Sequence, residues 1–392
     1  MPEAVIVSAC RTPIGSFMGS LSSLSATRLG ALAVEEAVKR AGIKKSDVQE
    51  VIMGNVLTAG EGQAPARQAA LFAGLPDSVE CMTINKVCGS GLKAVMLAAQ
   101  AIQLGDADVI VAGGMESMSN APYLLEKGRA GFRMGNAEVV DSMIKDGLWD
   151  VYNQYHMGIA AELCAKECAV PRDAQDEFAI LSYKRAQSAT SEGRFKEEIV
   201  PVTLKSKKGD EVVAQDEEPF KTDFAKIPKL KPAFHGDGTV TAANASKIND
   251  GAAAVVVMSK EMAQQLGVKP IARIIGYASS AKKPEWFTTA PADVIPKVLQ
   301  RIKLKKEDID LFEINEAFAV VALAVNKILG LDLDKVNVNG GAVALGHPIG
   351  ASGTRILVTL LHALKQRQKM RGMAAICIGG GEAAGMVVEL LT

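Results

Sequence analysis

A chain of 392 residues is too long for one ordinary hydrophobic core, so two or more domains are expected. Lys plus Arg and Asp plus Glu number 44 each, and a neutral chain offers no general electrostatic case for nucleic acid or an anionic membrane surface. Six cysteines at irregular spacing are not a disulfide framework, and with 48% hydrophobic and 22% charged residues the expectation is a soluble globular protein in a reducing, cytoplasmic setting.

The chain enters a strand-like run at Ala4 to Ala9 with no apolar or Arg-rich leader before it. No apolar stretch is expected to reach the ~18–20 residues of a membrane span. The final Leu-Leu-Thr is not a peroxisomal address. Ala26 to Ala41 has the apolar period of an amphipathic helix and ends at Gly42. Val48 to Met53 reads as a strand, and Ala64 to Ala73 as a helix closed by Gly74 and Pro76. The segment Ile84 to Ala94 presents Cys88, then the small-residue bend Gly89-Ser90-Gly91, then a buried helix to Leu104 with Leu92, Val95, Met96, Ala99 and Ile102 on one face. A cysteine at a helix start meets free N–H groups and the positive dipole end, which favour a thiolate. A small buried Cys beside a tight turn explains the same residues equally well. Val109 to Ala112 is a fully apolar strand running into Gly113-Gly114. Strands alternating with helices imply an α/β fold with a mostly parallel sheet covered on both faces.

The C-terminal third repeats this plan. Lys44-Lys45-Ser46-Asp47-Val48 matches Lys305-Lys306-Glu307-Asp308-Ile309, and Ser90-Gly91-Leu92-Lys93 matches Ser352-Gly353-Thr354-Arg355. Val111 to Glu116 matches Cys377 to Glu382. Three matches in the same order indicate a tandem duplication, with the first copy's last strand, Ala252 to Met258, pairing in role with Met386 to Leu390. The interruption, about Glu116 to Asp250, holds Met and Gly turns, a polar helix (Ala174 to Glu192) and seven lysines between Lys205 and Lys231. Such a mixed-charge run is most often a solvated loop; its functional alternative is a clamp for a phosphorylated ligand.

Four segments fall at strand ends or helix starts, where open α/β sheets hold their ligands. They carry Cys88, Asn315-Glu316-Ala317-Phe318, His347 between glycines, and Cys377 running into Gly379-Gly380-Gly381. His347 is one of only four histidines and is placed to take a proton near neutral pH. Cys88 and Cys377 lack the Cys/His spacing of a zinc site, and no metal is expected. Cys164 and Cys168, four apart on a predicted helix, are read as a buried helix face.

Eight motifs then resemble the thiolase family over nearly the whole chain, most closely its biosynthetic acetoacetyl-CoA subgroup. They are VSACRTPIG (7–15), NKVCGSGLKA (85–94), GGMESMS (113–119), YHMG (155–158), GTVTAANAS (238–246), NEAFA (315–319), GGAVALGHPIGASG (340–353) and CIGGG (377–381). The resemblance implies a thiolase fold: duplicated βαβαβαββ halves forming a five-layered αβαβα core with an inserted loop domain. Its implied bounds are 1–116 completed by 250–270, 117–249, and 271–392. It implies a reversible condensation of two acetyl-CoA to acetoacetyl-CoA and coenzyme A, these thioesters being substrates, with no cofactor. Cys88 resembles the acyl-accepting nucleophile, and His347 the base that keeps it as thiolate. Cys377 resembles the acid/base acting on the leaving coenzyme A and on C2 of acetyl-CoA. Asn315 resembles the residue fixing a water in one oxyanion hole with His347, and the N–H groups of Cys88 and Gly379 resemble the other. His156, Met157, Phe234, Ala317 and Phe318 resemble a pantetheine channel, with Ser246 its hydrogen-bonding serine. Lys221 stands where biosynthetic members often carry Arg near the nucleotide. Phe287, in a turn that replaces a Met-containing one, is placed with Met157 against the acyl end. A tetramer built from dimers is implied, with the Met-rich segment Ser117 to Met134 as the second contact.

A degradative 3-ketoacyl-CoA thiolase would use the same residues on longer chains. A β-ketoacyl-carrier-protein synthase would carry a second His where Cys377 stands. A non-catalytic acyl-CoA-binding module would not need Cys88, His347 and Cys377 together. No G-x-G-x-x-G follows the first strand, which argues against a nicotinamide site.

Overall fold

The computed structural model describes residues 2–207 and 209–391; Lys208, one of the seven lysines noted above, lies outside them. The first half comprises β1 (Ala4–Arg11), α1 (Ala26–Ala41), β2 (Glu50–Gly54), α2 (Pro65–Phe72), β3 (Glu80–Ile84), α3 (Ser90–Leu104), β4 (Val109–Ser117) and, after the insertion, β5 (Asn249–Ser259). The insertion carries α4 (Met157–Glu167), α5 (Arg172–Ser191) and two-stranded ribbons. The second half comprises β6 (Ala272–Ala281), α6 (Pro291–Ile302), β7 (Leu311–Ile314), α7 (Ala319–Leu329), α8 (Ile349–Gln366), β8 (Arg371–Ile378) and β9 (Glu382–Leu390).

Local chemistry sets the boundaries. The Ser25 side chain accepts from Arg28 N to start α1, and Gly42, at φ 70°, ends it in the left-handed conformation. The repeated Lys-Lys-X-Asp segments form the same structure twice. Each is a short 3₁₀ turn in which the Asp carboxylate, of Asp47 or Asp308, accepts from the N–H of Lys44 or Lys305 at 2.8 Å.

The duplication is also visible in the sheet. The first half orders its strands β3-β2-β4-β5-β1, and the second orders them β7-β8-β9-β6. Val336, bridging Phe312 in parallel, takes the place of the missing outer strand. The halves join where β1 meets β6 over Val5↔Arg273 and Ile6↔Ala272. The expected mostly parallel sheet is corrected to a mixed one. Only β2·β3, β2·β4 and β7·β8 are parallel, and the other neighbours are antiparallel. At the end of the second half the reason is connection length. Strands β8 and β9 are joined through Gly379–Gly381, too short for a crossover, so they form a hairpin. The long insertion occupies the equivalent β4–β5 junction, and that pair is antiparallel too.

Helices α1 and α2 cover the outer face of the first half, and α6 and α7 that of the second. Helices α3 and α8 lie between the sheets, which completes five layers. The stretch Val87–Leu104 is long and apolar enough to span a membrane, contrary to the expectation from sequence; here it is that middle layer. Leu92, Val95, Met96, Ala99 and Ile102 are all buried. The insertion is pinned to β1 by Arg11, fully buried, whose guanidinium meets Glu198 at 2.6 Å and Asp216 at 2.6 and 2.8 Å.

Helices α3 and α8 cross at glycines. A Cβ at Gly353 would stand 2.3 Å from Leu92 N, and one at Gly91 would stand 2.8 Å from Thr354 N. Neither contact is with the flexible end of a side chain. Gly353→Ala should therefore destabilise by at least the overpacking cost of about 1–3 kcal/mol. The readout is the midpoint of thermal or guanidinium unfolding, and an unchanged midpoint would contradict the close crossing.

Candidate active site

The turn between β3 and α3 is tied at every residue. Asn85 Oδ1 accepts from Val87 N, and Ser90 Oγ accepts from Lys86 N while donating to Val87 O. Val87 sits at φ 45°, an uncommon conformation for a β-branched residue, and it lifts Cys88 to the tip of the turn. Gly89 lets this turn lie against the end of β8, since a Cβ there would meet Ile378 Cδ1 at 2.3 Å. That approach brings Gly379 to the thiol. Backbone hydrogen bonds from Gly379 and from Cys88 itself lower the thiol's pKa, and Glu116 opposes them. Burial outweighs both and pushes Cys88 from 9.0 up to about 11. Desolvation of the charge works against the expected thiolate, while the two N–H donors favour it.

His347 is held at the start of α8 by its own N–H, which donates to Asn249 Oδ1 at 2.9 Å. Its Nδ1 lies 2.6 Å from Ser352 Oγ, and that hydroxyl spends its one proton on Pro348 O at 2.8 Å. Ser352 must then accept from Nδ1–H, which leaves the lone pair on Nε2. Asn315 Nδ2 stands 3.5 Å from that Nε2. Burial, followed by the charge of Arg355, pushes His347 down to about 3, so it is neutral at physiological pH. Asn315 is fully buried, and its Oδ1 has no hydrogen-bond partner among the described residues.

Cys377 ends β8 with 1% exposure, and burial with the adjacent Cys88 drives its pKa up. Glu316, next to Asn315, accepts from Ser182 Oγ, Asn337 Nδ2 and Val343 N. Glu116 accepts from Asn55 Nδ2, Val56 N and Leu57 N of the first half and from Gly350 N of α8. It therefore fastens the helix behind His347 to the sheet behind Cys88.

A cavity of about 230 Å³ gathers Cys88, His347, Gly379, His156, Met157, Phe234, Ser246, Phe287, Ala317 and Phe318 along its wall. Cys377 and Asn315 are buried and do not line it. His156 caps α4 by accepting from Gly158 N and stacks on Phe234 at 4.7 Å, which only a glycine at 158 permits. Phe234 and Phe287 both meet Phe318 edge-on. Lys221 is not brought to this cavity: its ammonium bonds Ser16 Oγ and Glu217 Oε1 on an exposed loop. Sequence reasoning did not single out Met118, Leu148 and Ile248, which also line the cavity. Met118 lies inside the quoted GGMESMS motif, but Leu148 ends a short π-helical turn (Met143–Leu148) and Ile248 sits in loop, and neither is in a quoted motif. Among the described residues no group of three or more His, Cys, Asp or Glu is placed to hold a metal ion.

Two crossed central helices, one begun by a thiol and the other by a neutral imidazole over one small apolar cavity, define a duplicated α/β thiol enzyme. Family models for the thiolase N-terminal domain and the thiolase C-terminal domain match residues 4–261 and 268–390. An acetyl-CoA acetyltransferase of Cupriavidus necator is 56% identical over 99% of this chain and 100% of its own. A mitochondrial acetyl-CoA acetyltransferase of Bos taurus is 56% identical over 99% and 92%. The crystal structure of the Bacillus anthracis acetyl-CoA acetyltransferase superposes with a TM-score of 0.98 at 44% identity, covering 100% of this chain and 99% of that one. An Ascaris suum thiolase in complex with coenzyme A gives 0.94 at 48% identity, covering 99% and 100%. The chain belongs to the thiolase family.

The neutral pair sets a pH dependence. Cys88 is raised, so its thiolate appears only as pH rises through about 11, while His347 stays uncharged above about 3. Alkylation of Cys88 by iodoacetamide should then climb about tenfold per pH unit from 7 to 10. A rate that is flat across that window would instead show a preformed thiolate–imidazolium pair.

Proposed function

We propose that this chain is an acetyl-CoA C-acetyltransferase, joining two acetyl-CoA into acetoacetyl-CoA and coenzyme A, reversibly, through an acetyl thioester on Cys88. The observation that carries the reading is the shared cavity: a thiol, an imidazole with its lone pair on Nε2 and a glycine backbone line one aromatic-walled slot.

In the first half-reaction Cys88 gives its proton to His347 Nε2 as its sulfur attacks the thioester carbonyl. The carbonyl–sulfur bond to coenzyme A breaks, and the departing sulfur takes a proton from Cys377. In the second half-reaction the Cys377 thiolate removes a proton from C2 of a second acetyl-CoA. A thiol whose burial drives its pKa up is, once deprotonated, a base strong enough for a carbon acid. The C2 carbanion attacks acetyl-Cys88, and the released Cys88 sulfur recovers its proton from His347. Both cysteines and the histidine end as they began. The N–H groups of Cys88 and Gly379 stabilise the oxyanion on the acyl-enzyme carbonyl. Asn315, through a water at its free Oδ1, and His347 serve the oxyanion of the other thioester.

The pantetheine arm would run past His156, Phe234, Ala317 and Phe318, with Ser246 as its polar contact. Acetyl-CoA, acetoacetyl-CoA and coenzyme A are the partners in this reading, with no metal or other cofactor. We place the enzyme in the cytoplasm as a dimer of dimers. The exposed apolar side chains of Tyr123, Leu125, Phe132 and Met134 within the 117–134 segment support self-association.

Mass spectrometry after incubation with acetyl-CoA tests the two cysteines. Cys88→Ser should carry no acetyl group, whereas Cys377→Ser should acetylate slowly and fail to condense. An acetyl group found only on Cys377 would reverse the roles.

The alternative, a degradative thiolase for longer chains, is disfavoured by the small cavity and by Met157 and Phe287 on its wall. Each methylene added to a substrate gains about 0.8 kcal/mol on burial, less than the roughly 1–3 kcal/mol of overpacking a filled pocket. Thiolysis kcat/KM should fall from acetoacetyl-CoA to 3-ketohexanoyl-CoA and further at eight carbons. Met157→Ala should partly restore the longer substrates. Equal cleavage of the four- and eight-carbon substrates by the unaltered enzyme would favour the degradative reading.

A further inference from the structure

A second cavity, of about 580 Å³, opens on the seam between the halves. Its origin is the short β1–β6 pairing. These strands bond only at Val5 and Ile6, and β1 carries an irregularity between Ile6 and Ser8. Beyond Ile6, β1 runs on without β6, which begins at Ala272. Val7 and Ala9 form one wall, Ile271 and Leu390 the other, and Leu361 of α8 the floor. His362 closes the inner end, with its Nε2 3.3 Å from Ala9 O. The cavity lies near the far end of α8, an 18-residue helix of roughly 27 Å that starts beside His347. It is therefore separate from the acyl pocket.

The mouth is cationic. Arg40, Lys196, Lys269 and Lys365 line it against one carboxylate, Glu197. Arg40 is held by Glu36 at 2.9 Å, and Lys365 by Glu197 at 2.9 Å. Lys196 and Lys269 have no ion-pair partner among the described residues. An apolar wedge of ligand-sized volume beneath two uncommitted ammonium groups fits a molecule with a hydrocarbon tail and an anionic head.

We propose that the seam cavity binds a medium-chain carboxylate, with its tail between β1, Ile271, the end of β9 and α8 and its head at Lys196 and Lys269. Octanoate is the probe, titrated into the full chain by calorimetry after carboxamidomethylation of Cys88 has blocked the acyl pocket. Binding should persist in the blocked enzyme. It should tighten about fourfold per methylene from hexanoate to octanoate, and uncharged octanol should bind at least tenfold more weakly. The double variant Lys196→Glu, Lys269→Glu should lose at least tenfold in affinity. Both lysines are exposed, so the fold should tolerate the change. If that variant does not fold, the blocked enzyme, the chain-length series and the octanol comparison still decide the matter. Loss of binding on Cys88 blocking would place octanoate in the acyl pocket and overturn the proposal. So would equal affinity for octanol, or for the folded double variant.

Discussion

The active site depends on how closely α3 and α8 approach. Two buried helices pass with the Cα of one against the backbone of the other because Gly91 and Gly353 supply no side chain at the contact. The contact falls in the first turn of α3 and the second turn of α8, so it joins the two N-terminal ends. Whatever residue precedes each start is thereby delivered to the same place. In one case it is Cys88 and in the other His347. The Glu116 carboxylate, bonded to Asn55, Val56 and Leu57 on one side and Gly350 on the other, fixes the same junction by hydrogen bonds. Packing and polar satisfaction thus point to one geometry, the agreement between levels that marks a specified structure.

The same burial that positions these groups decides their charge. Two N–H donors at the Cys88 thiol are the feature that suggests a thiolate from sequence. In the folded chain Cys88 is half-buried on the cavity wall, and burial is the larger effect on its thiol. His347 moves the other way for the same reason. Both shifts favour the uncharged forms of the two groups. Donors aimed at a transition state do more for rate than donors that stabilise the resting nucleophile.

Much of this was legible in the residues because it is governed by local rules. Helix α1 is bounded by its serine cap and its left-handed glycine, and both are written in the sequence. The Lys-Lys-X-Asp repeats fold into matching 3₁₀ turns because the Asp-to-N–H bond closes within four residues. Cavity residues in dense motifs, such as Met157, Phe318 and His347, were found for the same reason. Strand direction was not legible, since it depends on which strands a connection can reach in space. Leu148 and Ile248 reach the cavity from the insertion, where no period marks a face. Lys221 carries a motif-level expectation, but its charge is taken up by Glu217, four residues away, and by Ser16 across the fold.

The insertion and the glycine turn are two answers to one topological position. Both halves bring their last two strands together antiparallel. In the second half the join is the short Gly379–Gly381 turn, with Gly380 and Gly381 at φ 89° and 86°. That turn is tight enough for the Gly379 backbone to reach the Cys88 thiol. In the first half the join has grown into the segment carrying His156, Met157, Phe234 and Ser246, which forms much of the cavity wall. Were both joins tight, the two helix starts would face open solvent with nothing to hold a long thioester. Were both joins long, no backbone donor would be fixed at the sulfur. The asymmetry between the two copies separates the work: one junction serves the reacting atom, and the other encloses the rest of the ligand.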